Sequence, residues 1–331
     1  MSLVKRLRTF IIFLILLIGV KVTAQVDSAY IRPFDHDFSV RSIVGHKIAG
    51  FDRQSKDGNN NGFIYRINAP VAFGAGASWK DYSFAFSRRF SFIRDRKKGK
   101  TSSLEFQHHG YSRKFTYSIS LQQHKGFYND ILNQDGTYTT YPDLKINIYG
   151  GTFQWVFNNK KFSYKAAFGQ NERQIKSAGS FQLGTSLYYS VLETDSTKLL
   201  SGISHQNKNL QFGINGGYAY THVLDKRWFV TGSFDLGVNI GNNDPGRLLK
   251  EKLEIYPVLY SRIGVGYNIQ SWSFGFSSYF SRIYLFIDKN ENLSMNEFNM
   301  QISFIKRFHW GNKFVNKTLQ DTKDKLNRIG L

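Results

Sequence analysis

The run Glu172-Arg173-Gln174-Ile175-Lys176 puts three charged side chains into a stretch that otherwise carries the apolar alternation of a membrane-spanning strand. Charge there must face a lumen or stand clear of the bilayer, because Arg or Lys at the bilayer midplane costs about 2–4 kcal/mol. Facing inward with Arg66, Arg89, Lys165 and Arg262, the run would form a basic constriction. Rings of Arg or Lys favour anions, so such a constriction would serve a narrow anion-preferring pore for small solutes. The alternative is a network of Arg–Glu pairs, with Asp235 and Glu254 as further acids, that fills the interior as small barrels are filled. Spacing leaves both readings open.

A second basic group lies at 93–100, where Arg94, Arg96, Lys97, Lys98 and Lys100 face one acid, Asp95. At an outer surface the matching anions are lipopolysaccharide phosphates, which Arg can bind bidentately. Arg88 and Arg282 interrupt otherwise apolar faces, which places them near the outer rim, where the cost of an Arg falls toward zero and phosphates are within reach. A solvated loop and a local register shift would account for the same residues.

Other chemistry is weakly marked. Asp288-Lys289-Asn290-Glu291-Asn292 begins like a calcium loop, but Leu293 stands at the sixth position and Asn299 at the twelfth, where Gly and Glu belong. His108, His109 and His124 with nearby serines invite a membrane-embedded lipid hydrolase, yet no spacing is diagnostic of a Ser-His-acid triad. There is no Cys, no phosphate-binding glycine loop and no zinc motif, so no cofactor and no metal are expected.

The elements that must hold these residues are strands. In 80–92, Tyr82, Phe84, Phe86, Phe90 and Phe92 share one face and Ser83, Ala85, Ser87, Arg89 and Ser91 the other. Bulky apolar groups out and small polar groups in is the period-two pattern of a lipid-facing strand. It recurs where Phe63, Tyr65, Ile67, Val71 and Phe73 alternate with Arg66, Asn68 and Gly74, and at Phe115–Gln122, Trp228–Ile240, Trp272–Phe280 and Phe298–Phe304. In 144–157 the apolar face switches at Gly150-Gly151, where a bulge is expected. Short turns near Lys80, Ser112, Asn158, Asp225 and Gln270 alternate with long polar loops near 52–62, 93–102, 124–143, 193–209, 241–252 and 287–297. That alternation describes an all-β, transmembrane, antiparallel up-and-down β-barrel of about 12 strands with both termini in the periplasm. It requires 160–193 to cross once with an inward kink; read as a hairpin, the same stretch gives about 14 strands. Trp79, Trp155, Trp228, Trp272 and Trp310 all fall at the short-turn rim, as a periplasmic aromatic girdle should.

The N-terminus has the form of a signal peptide, with Lys5, Arg6 and Arg8 before the apolar run Phe10–Val20 and small residues at Val22-Thr23-Ala24. That run is shorter than the roughly 20 residues of a spanning helix. The expected organisation is therefore signal peptide 1–24, periplasmic segment 25–37, outer-membrane barrel 38–310 and polar periplasmic tail 311–331. A mean hydropathy of −0.37 argues against a helical membrane protein but not against a barrel, whose strands turn every second side chain to lipid. The formal +20 falls by four once Lys5, Arg6, Arg8 and Lys21 leave with the signal peptide. In an exported, aromatic-rich chain this charge points to outer-membrane lipid and lipopolysaccharide, not to nucleic acid.

Several segments carry a family resemblance: Gly110-Tyr111-Ser112-Arg113-Lys114-Phe115, His124-Lys125-Gly126-Phe127-Tyr128, Tyr141-Pro142-Asp143-Leu144, Phe162–Phe168, Glu172-Arg173-Gln174, Lys176–Phe181 and Asn215–Tyr220. Together they resemble the domain-of-unknown-function 4421 family of Bacteroidota outer-membrane proteins, over most of the mature chain. The resemblance implies compartment and phylum and supplies no activity. Three function classes follow from the residues: a structural or accessory component of an envelope complex with protein partners, the narrow anion pore, and the lipid hydrolase.

Overall fold

The computed structural model describes residues 26–55, 63–79, 82–90, 93–195, 206–243, 253–287 and 291–309. The segments expected to be the signal peptide and the polar tail, together with Trp310, lie outside these residues. Among the described residues fifteen strands occur in the order β1 (Ile31–Pro33), β2 (Phe38–Ser55), β3 (Phe63–Arg66), β4 (Val71–Trp79), β5 (Tyr82–Arg89), β6 (Ser102–Tyr111), β7 (Phe115–Leu132), β8 (Tyr138–Val156), β9 (Glu172–Gln174), β10 (Ala178–Glu193), β11 (Gln206–Val223), β12 (Trp228–Asn242), β13 (Glu254–Asn268), β14 (Trp272–Ile287) and β15 (Glu291–Phe308). A short helix, Tyr164–Ala167, precedes β9, with Ser163 as its N-cap. Among the described residues no helix is long and apolar enough to cross a membrane.

Ten strands hydrogen-bond into a closed antiparallel ring: β2, β15, β14, β13, β12, β11, β10, β8, β7 and β3, which returns to β2. Three more, β4, β5 and β6, belong to the same sheet and lie below the short β3, β4 on β2 and β6 on β7. The ring closes where Phe38 of β2 stands opposite Phe308 of β15. We call that the near end, and the end reached by Ser55 and Glu291 the far end.

Alternation decides which face each residue takes. On β12, Phe234 is 51% exposed and its neighbour Asp235 only 5%. Val230, Leu236, Val238 and Ile240 join Phe234 on the outside, while Thr231, Ser233 and Asn239 lie within. An apolar exterior around a polar interior inverts the soluble pattern, as in a lipid-facing barrel.

The expected bulge at Gly150-Gly151 does not occur; β8 pairs without a register shift from Lys145 to Val156 on β10. Its apolar face changes because the lumen changes. Leu144, Ile146 and Ile148 point inward at the far end, where they join a buried cluster with Phe51, Tyr65, Phe127, Tyr188, Leu192, Val258, Leu285, Leu293 and Met295. Phe153 and Trp155 point outward. The observed irregularity on β7 is at Gly126, whose φ of +87° only glycine adopts without strain, and where a Cβ would stand 2.3 Å from the Lys100 carbonyl oxygen. The stretch 160–193 gives one wall strand, β10, preceded by a segment that turns into the barrel mouth.

Candidate functional site

Three layers of side chains cross the lumen, with a small cavity beyond the first. The near end holds a plug made from two chain segments. β1 pairs with β9, Ile31 opposite Gln174 and Pro33 opposite Glu172. Phe162, Tyr164 and Ala167 pack against Val156, Ala178 and Ala219 of the wall. The turn after the helix is tied down by guanidinium groups: Arg41 donates to the Gly169 carbonyl, and Arg307 Nη2 donates to the Gln170 carbonyl at 2.6 Å. The Gln170 amide donates to Asn268 Oδ1 at 3.2 Å and to the Phe274 carbonyl at 3.1 Å. Glu172, 3% exposed, meets Arg113 Nη2 at 2.5 Å and accepts from Ser163 Oγ.

Above the plug lies a cavity of about 50 Å³ whose lining includes His109, Tyr111, Ser118, Tyr164, Asp235 and Arg262. Arg262 Nη1 donates to Tyr111 Oη at 3.1 Å across the lumen, and its guanidinium lies 5.0 Å from the Tyr279 ring centroid. Asp235 Oδ1 accepts from Gln154 at 2.9 Å and from Gln182 at 2.6 Å. The carboxylate is thus held by neutral amides, while the guanidinium makes no ion pair among the described residues.

Beyond it runs a charged belt. Lys47 Nζ sits 2.8 Å from Glu105 Oε2 and 2.5 Å from Glu297 Oε1, and Arg89 Nε lies 2.6 Å from Glu105 Oε1. Gln122 adds a bond to Glu297 at 3.0 Å. Charges this deep are tolerated only when paired and hydrogen-bonded. His124, whose side chain has no exposed surface, bonds Ser103 Oγ through Nδ1 at 2.9 Å and approaches Glu105 Oε1 at 3.5 Å. This is a Ser–His–Glu contact, but Glu105 gives its short contacts to Lys47 and Arg89, so the acid holds two cations instead of orienting the imidazole. The far-end apolar cluster follows, fastened across the lumen by Tyr188 Oη to Tyr260 Oη at 2.6 Å.

Of the residues singled out in the sequence, Asp235 and Arg262 line the cavity and Arg89 joins the belt. The basic constriction is not assembled. The 172–176 run is β9 and its flank, part of the near-end plug. Arg173 is half-buried with Nε buried and unpartnered. Lys165 is half-buried on the helix. Lys176 is exposed, its ammonium 5.5 Å from the Tyr30 ring centroid, and so does not face inward. Arg66 also faces the other way from expectation. Tyr65 takes the inward position in the far-end cluster, which turns Arg66 outward, 3.2 Å from Asp52. Lys47, Glu105, Glu297 and Gln170 were missed; their signal was a polar residue on the inward parity of a strand, or beside one.

Of the basic loop, Arg96, Lys97 and Lys100 are exposed and Arg94 is half-buried. Lys98 turns back onto the protein, 4.9 Å from the Tyr128 ring centroid and 4.8 Å from that of Tyr138. Arg88 is exposed on β5. Arg282 Nε donates to Asn296 Oδ1 at 2.6 Å, and Nη2 lies 3.8 Å from Asp52. Trp79, Trp155, Trp228 and Trp272 all stand at the near end, and the first three are exposed.

Comparison with known proteins gives general likeness only. The outer-membrane protease OmpT of Escherichia coli is 8% identical, with a TM-score of 0.35, over 83% of this chain and 98% of that one. A bacterial polysaccharide outer membrane secretin is 11% identical, with a TM-score of 0.35, over 83% and 99%. The P. putida toluene transporter TodX is 10% identical, with a TM-score of 0.29, over 83% and 91%. Scores this low carry no argument about activity. No curated protein matches the chain. A family model described as Domain of unknown function (DUF4421) matches residues 25–308, and the chain belongs to that family.

Proposed function

We propose that this protein is an outer-membrane β-barrel, exported by its signal peptide, that serves as a structural or accessory component of the envelope and does not conduct. The observation that carries this reading is the filled lumen: the plug, the paired charged belt and the far-end apolar cluster each join opposite walls. An open anion pore would need a continuous polar path past Phe51, Tyr188 and Leu293, all buried in that cluster. The apolar exterior supports membrane insertion, since strands bury their backbone polar groups in lipid only when they close.

Counting β3 and β4 as one interrupted crossing, the wall makes twelve traverses. The near end then lies in the periplasm, where short turns such as Leu224–Arg227 and Ile269–Ser271 face, and the four Trp side chains form its interfacial girdle. Arg96, Lys97 and Lys100 are exposed in the loop that follows β5, where lipopolysaccharide phosphates of the outer leaflet would be their partners, whereas Arg88 stands level with Phe73 and Val44, away from the far end.

Fractionation of native cells tests the reading. The protein should float with outer membranes and migrate anomalously on unboiled gels. Its overproduction should leave the uptake of small anions unchanged. Recovery as a soluble periplasmic protein, or faster anion uptake, would overturn it.

A further inference from the structure

β5 and β6 are consecutive strands that run side by side, yet no backbone ladder joins them among the described residues. β5 is bonded only to β4, and β6 only to β7. Among the described residues, Arg89 and Glu105 meet across this seam from side chain to side chain at 2.6 Å on the inner face. Antiparallel strands that meet there continue with the small Ser87 and Ala85 of β5 toward Gln107 and His109 of β6.

What lies on the two sides of the seam differs sharply. Outside stand Phe86, Leu104 and Phe106, all exposed. Inside, His109 and Tyr111 of β6 belong to the cavity lining, and Tyr111 bonds Arg262. Arg262 makes no ion-pair contact among the described residues; Asp235 lines the same cavity, but its carboxylate is bonded to Gln154 and Gln182.

In hydrocarbon an unpaired run of backbone N–H and C=O groups must find partners. On the membrane reading above, such a run is kept only where something enters. We propose that the β5–β6 seam is a lateral port from the bilayer to the cavity, and that it admits an amphiphile with a small anionic head. The apolar chain lies against Phe86, Leu104 and Phe106, the head reaches Arg262, and the Arg89–Glu105 pair latches the seam on its inner side.

The chain has no Cys, so single cysteines report cleanly. Ser87→Cys marks the seam and Ser118→Cys the cavity lining. Each full-length variant is reconstituted into phosphatidylcholine vesicles, and co-flotation with the vesicles establishes the membrane reading separately. N-dodecylmaleimide should modify both positions, the seam first, whereas a charged water-soluble maleimide should modify neither. Dodecanoate at about ten times its dissociation constant should slow modification at 118 about tenfold, and dodecyltrimethylammonium should not. Adding Arg262→Gln should keep the labelling and abolish the protection. In protein that co-floats, no modification by either reagent would overturn the port. So would equal rates with both reagents, or equal protection by both amphiphiles.

Discussion

Gly266 of β13 and Gly275 of β14 stand directly opposite one another, and the amide of Gln170 lies in the slot their missing Cβ atoms leave. A Cβ at 275 would come 2.5 Å from Gln170 Oε1. Gln170 itself has φ of +46°, a left-handed conformation that side chains other than glycine seldom take. Two side-chain hydrogen bonds and the Arg307 bond to its carbonyl hold it there. Gln170 thus keys the plug into the wall, beside the Arg41 and Arg113 contacts.

Gly275→Ala should therefore loosen the plug, with an overpacking cost of about 1–3 kcal/mol. Hydrogen exchange should speed at the Asn171 and Ile175 amides, which bond within the plug, and not at the β11–β12 ladder. Unchanged exchange at both plug amides would show that the slot does not hold it.

The charged belt makes an asymmetric prediction. Glu105 is shared by Lys47 and Arg89, whereas Glu297 has one cation, Lys47, and two glutamine amides. Glu105→Gln should cost about 3–5 kcal/mol, the range for removing one partner of a buried pair. Glu297→Gln should cost less, and the double variant less than the sum, because Lys47 is common to both. Urea unfolding of micelle-folded protein measures all three; equal and additive effects would contradict the shared-cation geometry.

Strand parity makes much of this structure legible in the sequence, but only where the lumen is polar. The outward strings of Phe, Leu and Trp are read correctly wherever the lumen is polar, as on β12. The reading fails where the lumen turns apolar. Tyr65 and Ile67 look like lipid-facing residues and are in fact core, which reverses Arg66. The face switch at Gly150 is visible in the sequence, but its cause, the far-end cluster, is visible only when opposite walls meet. Lys47 and Glu105 are 58 residues apart, and only the folded barrel brings them together. Of the two readings the spacing of 172–176 leaves open, the paired filling is the one Glu172 follows, through Arg113, but its position in a plug is not legible because the partner strand β1 is only three residues long and carries no alternation to read.

The turn between β11 and β12 should respond to acid. The Asp225 carboxylate accepts from the Arg227 and Trp228 backbone N–H groups at 2.6 and 2.7 Å, and these bonds hold its pKa below the usual aspartate value. A lowered folded-state pKa stabilises above the unfolded value of about 3.9, and the contribution is lost as pH falls through the folded value. The stability difference between wild type and Asp225→Ala should be constant from neutral pH down to about that unfolded value and shrink below it. A difference independent of pH would contradict the capping role.

Orientation is open to the same cysteine chemistry. Gln134→Cys lies in the exposed far-end turn between β7 and β8, and Lys226→Cys in the near-end turn between β11 and β12. An impermeant maleimide applied to whole cells should label position 134 and not 226. The reverse would invert the barrel and move the Trp rim to the outer surface.

A lumen closed by its own side chains is the central feature of this protein, and ion conduction through purified full-length protein in planar bilayers tests it directly. Closed layers at both ends of the cavity should leave the bilayer silent, and Gly275→Ala should stay silent too, because the far-end cluster around Phe51 and Tyr188 remains in place. Steady wild-type current through an open path, of either ion preference, would contradict the filled lumen.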